Sequence, residues 1–241
     1  MILLKSSFRV SITYPDAVFL MNEYEVHRLP PEYSPLLDKL KVGIENAEDF
    51  TAEEVEQLTE LHNRRVIYVV PTENLSLCNY LELSGWQSDY VNGQLANMSV
   101  EVIDAHPDPS WAVAITAALG KYGVLKSNPA IRLYISDRTT KFETIEYPAL
   151  MVKVGSYRPT VGPFLSNQFP IESFNKLMLA NKGGFETEAF QEVLPTYLHQ
   201  LQLGLVIHEI MMFLIKLGNH GAANAIIEWD LVEMKRMIWK I

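Results

Sequence analysis

Residues 8–31 read FRVSITYPDAVFLMNEYEVHRLPP, and the period of this stretch decides what fold the rest can join. Phe8, Val10 and Ile12 alternate with Arg9, Ser11 and Thr13, the period-2 pattern of a half-buried strand. Tyr14-Pro15-Asp16-Ala17 supplies turn chemistry, and Val18–Met21 follows as a second, more buried strand. Glu23–Leu29 alternates again, with Tyr24, Val26 and Arg28 on one face and Glu25, His27 and Leu29 on the other, until Pro30-Pro31 stops it. The segment predicts a three-stranded meander.

Helical spacing takes over on its C-terminal side. Tyr33, Leu36, Leu37 and Leu40 share one helical face, with Gly43 placed as a C-terminal cap. Thr51 and Glu54 have capping-box spacing ahead of Val55, Leu58 and Leu61. The state of the β-branched run 65–70 is left open. TENLSLCNYLEL, residues 72–83, predicts a third helix ended by Ser84-Gly85. Strands with three short helices outline a winged helix-turn-helix domain over residues 1–90.

Residues 87–97 are polar, contain Gly93 and read as a linker. Beyond it, over residues 98–241, strands are predicted at Met98–Ile103, Ile131–Ser136 and Ala149–Val154. Helices are predicted at Trp111–Tyr122, Ile171–Ala180 and Glu188–Leu217, with a closing hairpin of Ala225–Trp229 and Val232–Trp239. This alternation implies an α/β layer and an α+β chain overall.

Composition narrows the function. Twenty basic against 29 acidic side chains leave a net charge of −9 over 241 residues, no footprint for sequence-independent nucleic-acid binding. The predicted third helix carries Glu73 and Glu82 and no Arg or Lys, which argues against a DNA recognition helix. Cys78 is the one cysteine, so neither an intramolecular disulfide nor a thiolate zinc cage is available. Lys5 interrupts the opening apolar run well before a signal-peptide core could form. Leu201–Leu217 is very apolar but carries His208, Glu209 and Lys216, which suits a buried helix better than a membrane span. A soluble, cytoplasmic protein is expected.

Catalytic motifs are scarce. Neither G-x-G-x-x-G nor G-x-x-x-x-G-K-[ST] occurs, which removes the usual phosphate cradle. His208-Glu209 opens an H-E-x-x-H pattern, but Met212 stands where the second ligand belongs, and His199 lies too far along the helix to share an ion. Both histidines are expected at helix interfaces. No G-x-S-x-G elbow is present, and Cys78 sits among apolar neighbours. Asp104, His106 and Asp108 follow a predicted strand, where they suit a polar turn starting the helix at Ser110 better than a site lacking base or nucleophile. Catalytic and metal residues are therefore expected to be absent, with no cofactor. The third strand offers more. Ending the meander, Tyr24–Leu29 can leave an open edge for an extended peptide, although its charges and Pro-Pro equally suit a protected edge.

The stretch Lys5–Gly43 resembles the precursor-peptide recognition domain that fronts the cyclodehydratase scaffold subunits of thiazole/oxazole-modified microcins and cyanobactins. The second part is similar to the degenerate ThiF-type, activating-enzyme-like (Rossmann-like) domain that follows it there. The segments carrying this are ALMVKVGSYRPTVGPFLSNQ (149–168), FNKLMLANK (174–182), the helix LPTYLHQLQLGLVIHEIMMFLIKLGN (194–219), and AIIEWD with LVEMKRMIWKI at the end. The resemblance implies a non-catalytic scaffold that binds the leader of a precursor peptide and presents its core to a separate, ATP-using YcaO-type subunit for azoline formation. The leader strand would then lie against Tyr24, Glu25, Val26, His27, Arg28 and Leu29. Its side chains would pack toward the third helix around Leu77, Tyr80 and Leu81, with Arg28 meeting an acidic leader residue.

Family members often hold a structural zinc on two C-x-x-C pairs, the first just after a G-P-[LF] turn. Here that place reads Pro170-Ile171-Glu172-Ser173, so zinc is expected to be absent and Phe169, Phe174 and Leu177 to pack in its stead. The rival functions are an adenylating ThiF-like enzyme and a winged-helix regulator. Apolar residues around most of the circumference of the last long helix also suggest a homodimer seam.

Overall fold

The computed structural model describes residues 2–5, 7–14, 16–44, 50–69, 77, 88–181, 194–216 and 220–241. It divides into two units, Met1–Gly93 and Gln94–Ile241.

In the first unit the meander forms as β2 (Arg9–Tyr14), β3 (Ala17–Met21) and β4 (Val26–Leu29), antiparallel in the order β2-β3-β4. The last strand is shorter than its alternation predicts. The Asn22 carboxamide oxygen accepts the N–H groups of Tyr24 and Glu25 and turns 22–25 into the hairpin loop. After Pro30, a 3-10 turn over Pro31–Tyr33 leads into α1 (Ser34–Val42), which ends on Gly43 at φ 88°. The capping box forms in full. The Thr51 hydroxyl accepts the Glu54 N–H, and the Glu54 carboxylate accepts the Thr51 N–H, starting α2 (Ala52–Asn63).

Two segments the alternation left aside also meet. Ile2–Leu4 (β1) pairs antiparallel with Ile67–Val69 (β5), which fixes the undecided run 65–70 as a strand over those residues. Leu20, Leu29, Leu36, Leu37, Leu40 and Leu61 are at most 1% exposed and join Val18, Leu58 and Ile67 in one core. Each such leucine contributes roughly 1.5–3 kcal/mol relative to exposure. Tyr33 ties the turn after β4 to α2 by donating its hydroxyl to Glu60. Burial, reinforced by that carboxylate, pushes the phenol up to about 12.

The linker expected over 87–97 is a helix, α3 (Ser88–Asn97), and the division between the units falls inside it. Val91 and Leu95, one turn apart, are 0% and 1% exposed, so two apolar side chains on one face outweigh the polar majority that suggested a loop.

The second unit is built on a six-stranded sheet in the order β11-β10-β9-β8-β7-β6. β6 (Val100–Asp104), β7 (Ile131–Ser136) and β8 (Ala149–Lys153) run parallel. β9 (Thr160–Leu165), β10 (Ala225–Asp230) and β11 (Lys235–Lys240) complete it antiparallel. One crossover contains a helix, α4 (Ser110–Gly120) between β6 and β7. Residues 137–148 join β7 to β8 without one. The Asp137 carboxylate organises that connection by accepting from the backbone and hydroxyls of Thr139 and Thr140. The sheet is therefore mixed α/β, not the regular strand–helix alternation the sequence suggests.

Gly162-Pro163-Phe164, expected as a turn, lies inside β9. Proline withholds a ladder donor, and the pairing with β8 shifts register between Leu150 and Val152. Gly162 has φ +100°, and a Cβ there would meet the Ala225 carbonyl oxygen at 2.4 Å, so glycine is required. Beyond β9, Phe169, Ile171 and Phe174 pack with Tyr134, Met151 and Leu165 at the start of α5 (Ile171–Asn181). The Leu177 side chain lies outside the described residues.

The last long helix is α6 (Thr196–Lys216), beginning after Pro195 rather than at Glu188, with Leu194 and Pro195 outside it. Among the described residues it is the one helix long and apolar enough to cross a membrane, and half of that stretch is buried within the protein. Every residue from Glu209 to Ile215 is buried. The C-terminal half of the helix therefore packs within the chain's own core, while on its N-terminal half Leu201, Leu203 and Leu205 are half-buried and Tyr197 is 69% exposed. The closing hairpin turns at Asp230, whose carboxylate accepts the N–H groups of Val232 and Glu233, so its second strand starts at Lys235 instead of Val232.

Candidate functional site

The edge of the meander is β4, and its hydrogen-bonding geometry can be worked out residue by residue. Its register with β3 pairs Met21 with Val26, Leu20 with His27, Phe19 with Arg28 and Val18 with Leu29. The Asn22 N–H donates to the Glu25 carbonyl at 3.0 Å, which makes 22–25 a hydrogen-bonded pair. Antiparallel pairs alternate, so His27 and Leu29 turn their backbone groups inward to β3, while Val26 and Arg28 present N–H and C=O outward. Those outward groups have no backbone partner among the described residues. An extended peptide pairing here would meet a row of up to four main-chain hydrogen-bonding groups.

The side chains divide as the alternation predicts. Leu29 is 1% exposed, and the His27 ring sits 5.6 Å from that of Phe8, on the core side. Val26, 66% exposed, and Arg28 lie on the other side, opposite Met21 and Phe19, while Tyr24, 89% exposed, falls in the hairpin loop before the strand. Met21 and Phe19 are both half-buried, so this face is apolar and incompletely covered. Arg28 already has a partner. Its guanidinium donates to the Asp16 carboxylate at 3.0 Å across the sheet, both side chains being largely exposed. Glu25 stands 3.1 Å from the His27 ring. Exposed pairs of this kind are worth about 0–1 kcal/mol, so an incoming acidic residue can exchange with Asp16 at little cost. Asp16, Phe19 and Met21 belong to this face because of strand pairing, which spacing along the chain does not reveal. Of the predicted third-helix residues, Leu77 is helical and half-buried. Tyr80 and Leu81 lie outside the described residues, as does Cys78.

Asp104, His106 and Asp108 form the polar turn expected. Asp104 accepts the His106 N–H, the Asp108 N–H donates to His106 Nδ1 at 2.9 Å, and Asp108 accepts the Ser110 N–H that opens α4. The Asp108 carboxyl is held below its usual range, first by that backbone hydrogen bond. His199 stacks on Trp111 with ring centroids 3.8 Å apart, an interface role in keeping with its sequence context.

His208 and Glu209 do more than the broken metal motif suggested. No group of three His, Cys, Asp or Glu side chains among the described residues is placed to hold a metal ion. Glu209, 1% exposed, is instead the hub of a hydrogen-bonded cluster. Its Oε1 accepts from Arg236 Nε at 2.6 Å and Trp229 Nε1 at 3.1 Å. Its Oε2 accepts from Arg236 Nη2 at 3.1 Å and lies 3.1 Å from His220 Nε2. Burial alone would raise this carboxyl, but the hydrogen bonds of His220 and Arg236 overcome it and bring the group down to about 2. His208 is pushed below the usual histidine range by burial. Nothing in the sequence spacing links residues 209, 220, 229 and 236; the hairpin's return onto α6 does.

No protein-family model matches the chain, and no curated protein matches it. Solved structures do. Heterocyclases share this fold. One solved in complex with substrate and cofactor superposes over 99% of this chain at TM-score 0.62 with 15% identity, and the chain covers 37% of it. The heterocyclase TruD superposes over 100% of this chain at TM-score 0.59 with 17% identity, and 41% of its length is covered. Escherichia coli MccB, solved with MccA, gives TM-score 0.47 at 10% identity over 100% of this chain and 96% of its own. The chain spans about two fifths of the length of the heterocyclases it matches.

Proposed function

We propose that this chain is a leader-peptide-binding scaffold of a YcaO-dependent cyclodehydratase that matures a ribosomally made peptide, and that it has no catalytic turnover of its own. The observation that carries this is the outward row of backbone groups on β4, at Val26 and Arg28, beside an incompletely covered apolar face. It occurs in a chain with the fold of part of the heterocyclases. A disordered leader adds to the edge as a further strand. Tyr24, Val26 and Arg28 contact its side chains, and the first unit acts as a winged-helix recognition module with Leu77 beside the groove.

The contribution to the reaction is proximity. A peptide tethered by its leader reaches an effective concentration of about mM at the partner's site. The ATP-using chemistry then belongs to a separate YcaO-type subunit in the cytoplasm. The lack of a glycine-rich phosphate loop supports this division against an adenylating role for the second unit.

The test is fluorescence anisotropy with a labelled leader from the precursor encoded beside this protein. Saturable binding at micromolar or tighter Kd, weakened about tenfold by Arg28→Glu, is expected. Ring formation should require the added YcaO-type subunit. Absence of binding by the wild type, or azolines formed from ATP and precursor by this chain alone, would sink the proposal.

A further inference from the structure

The cluster around Glu209 borders a cavity of about 420 Å³, in the size range of small-molecule sites. Its wall combines Arg236, Lys216 and His208 with Trp229, Met212 and Ile238. Guanidinium groups carry five N–H donors in a fixed plane. Glu209 takes the side-on pair, Nε and one N–H of Nη2, so the end-on edge with Nη1 and the second Nη2 N–H has no partner among the described residues. That edge presents two parallel donors, the geometry that grips a carboxylate or phosphate bidentately.

The surroundings hold it ready. His220 Nδ1 accepts the Ala222 N–H, which turns its Nε2 toward Glu209. Trp229 locks the same carboxylate from the other side. Glu209 offsets the charge of Arg236, and Lys216 places a second cationic side chain in the wall.

We propose that this cavity, between α6 and the β10–β11 hairpin, binds a small organic anion. Its carboxylate or phosphate sits on the end-on edge of Arg236 near Lys216, and its apolar body lies against Trp229, Met212 and Ile238. A clamp that served only to fasten the hairpin to α6 would need the side-on contacts alone and no open cavity beside them.

The Trp229 indole N–H, bonded to Glu209, reports on the site directly. The experiment titrates the full-length ¹⁵N-labelled protein with sodium benzoate, phenyl phosphate and the neutral isostere benzamide, following that resonance after assigning it by its loss in Trp229→Phe. Saturable shifts are expected with benzoate or phenyl phosphate at sub-millimolar to millimolar Kd, and none with benzamide. The tighter of the two anions names the group the site takes. Lys216→Met should weaken binding about threefold or more. Arg236→Lys, which keeps a charge for Glu209 but loses the fork, should weaken it about tenfold or more. If Arg236→Lys does not fold, Lys216→Met alone decides. No saturable shift with either anion up to about 10 mM, equal binding of benzamide, or affinity unchanged in every folded variant would overturn the proposal.

Discussion

Proline placed at two neighbouring positions of β4 separates the edge that binds from the edge that folds. Val26 turns its N–H outward and His27 turns its N–H inward to Leu20. Val26→Pro therefore removes one of the up to four main-chain groups offered to a peptide and leaves the β3–β4 ladder intact. A backbone hydrogen bond is worth about 1 kcal/mol net, which predicts a rise in leader Kd of about fivefold. Thermal stability should change by less than about 1 kcal/mol, because Val26 is 66% exposed and its N–H takes no part in the β3–β4 ladder. His27→Pro instead takes the ladder donor from the carbonyl of Leu20, a residue 0% exposed, and loses the ring contact with Phe8. Its cost is about 3 kcal/mol or more, lowering the melting temperature of the first unit by on the order of 10 °C. Anisotropy and circular-dichroism melts on both variants complete the comparison. Unchanged leader affinity in Val26→Pro refutes pairing at this edge. A His27→Pro protein as stable as Val26→Pro refutes the inward and outward assignment itself.

Glu209→Gln should destabilise the second unit by about 3 kcal/mol at pH 7, since the drop from 4.5 to about 2 converts at about 1.4 kcal/mol per pH unit. The carboxylate is depressed in the folded state, so its contribution is complete above about pH 4.5 and is lost as pH falls toward 2; urea titrations of wild type and variant should converge there, and a difference that stays constant with pH would contradict the assignment. Thr51→Ala removes the hydroxyl half of the capping box and should cost the first unit about 1 kcal/mol in urea unfolding. Gly162→Ala drives a Cβ to 2.4 Å from the Ala225 carbonyl at a φ of +100° and should cost on the order of 3 kcal/mol, read as a lowered melting temperature; a wild-type melt would show that β9 and β10 are not this close.

What the chain discloses by itself is what depends on near neighbours. Alternation over residues 9–21 and 26–29, the Gly43 cap and the Thr51–Glu54 box concern side chains a few positions apart, and each forms as its spacing predicts, while residues 23–25 become the hairpin loop instead of strand. The same local logic misjudges α3, where Val91 and Leu95 are too few to stand out in a polar window but enough to be buried. The turn that the family resemblance implied at Gly162-Pro163 lies instead within β9, where the flanking strands enclose it. Strand pairing sets which face of β4 is apolar and which backbone groups remain open, and it brings Asp16 to Arg28 across the hairpin.

The hub at Glu209 shows the division most plainly. From the sequence, a histidine and a glutamate on an apolar helix amount to an interrupted metal motif. The fold surrounds that glutamate with His220, Trp229 and Arg236, up to 27 positions away, and only their convergence lets a carboxylate stay ionised where burial would protonate it. Periodicity is local and survives in the chain; the convergence of charges exists only once the β10–β11 hairpin has folded back on the helix.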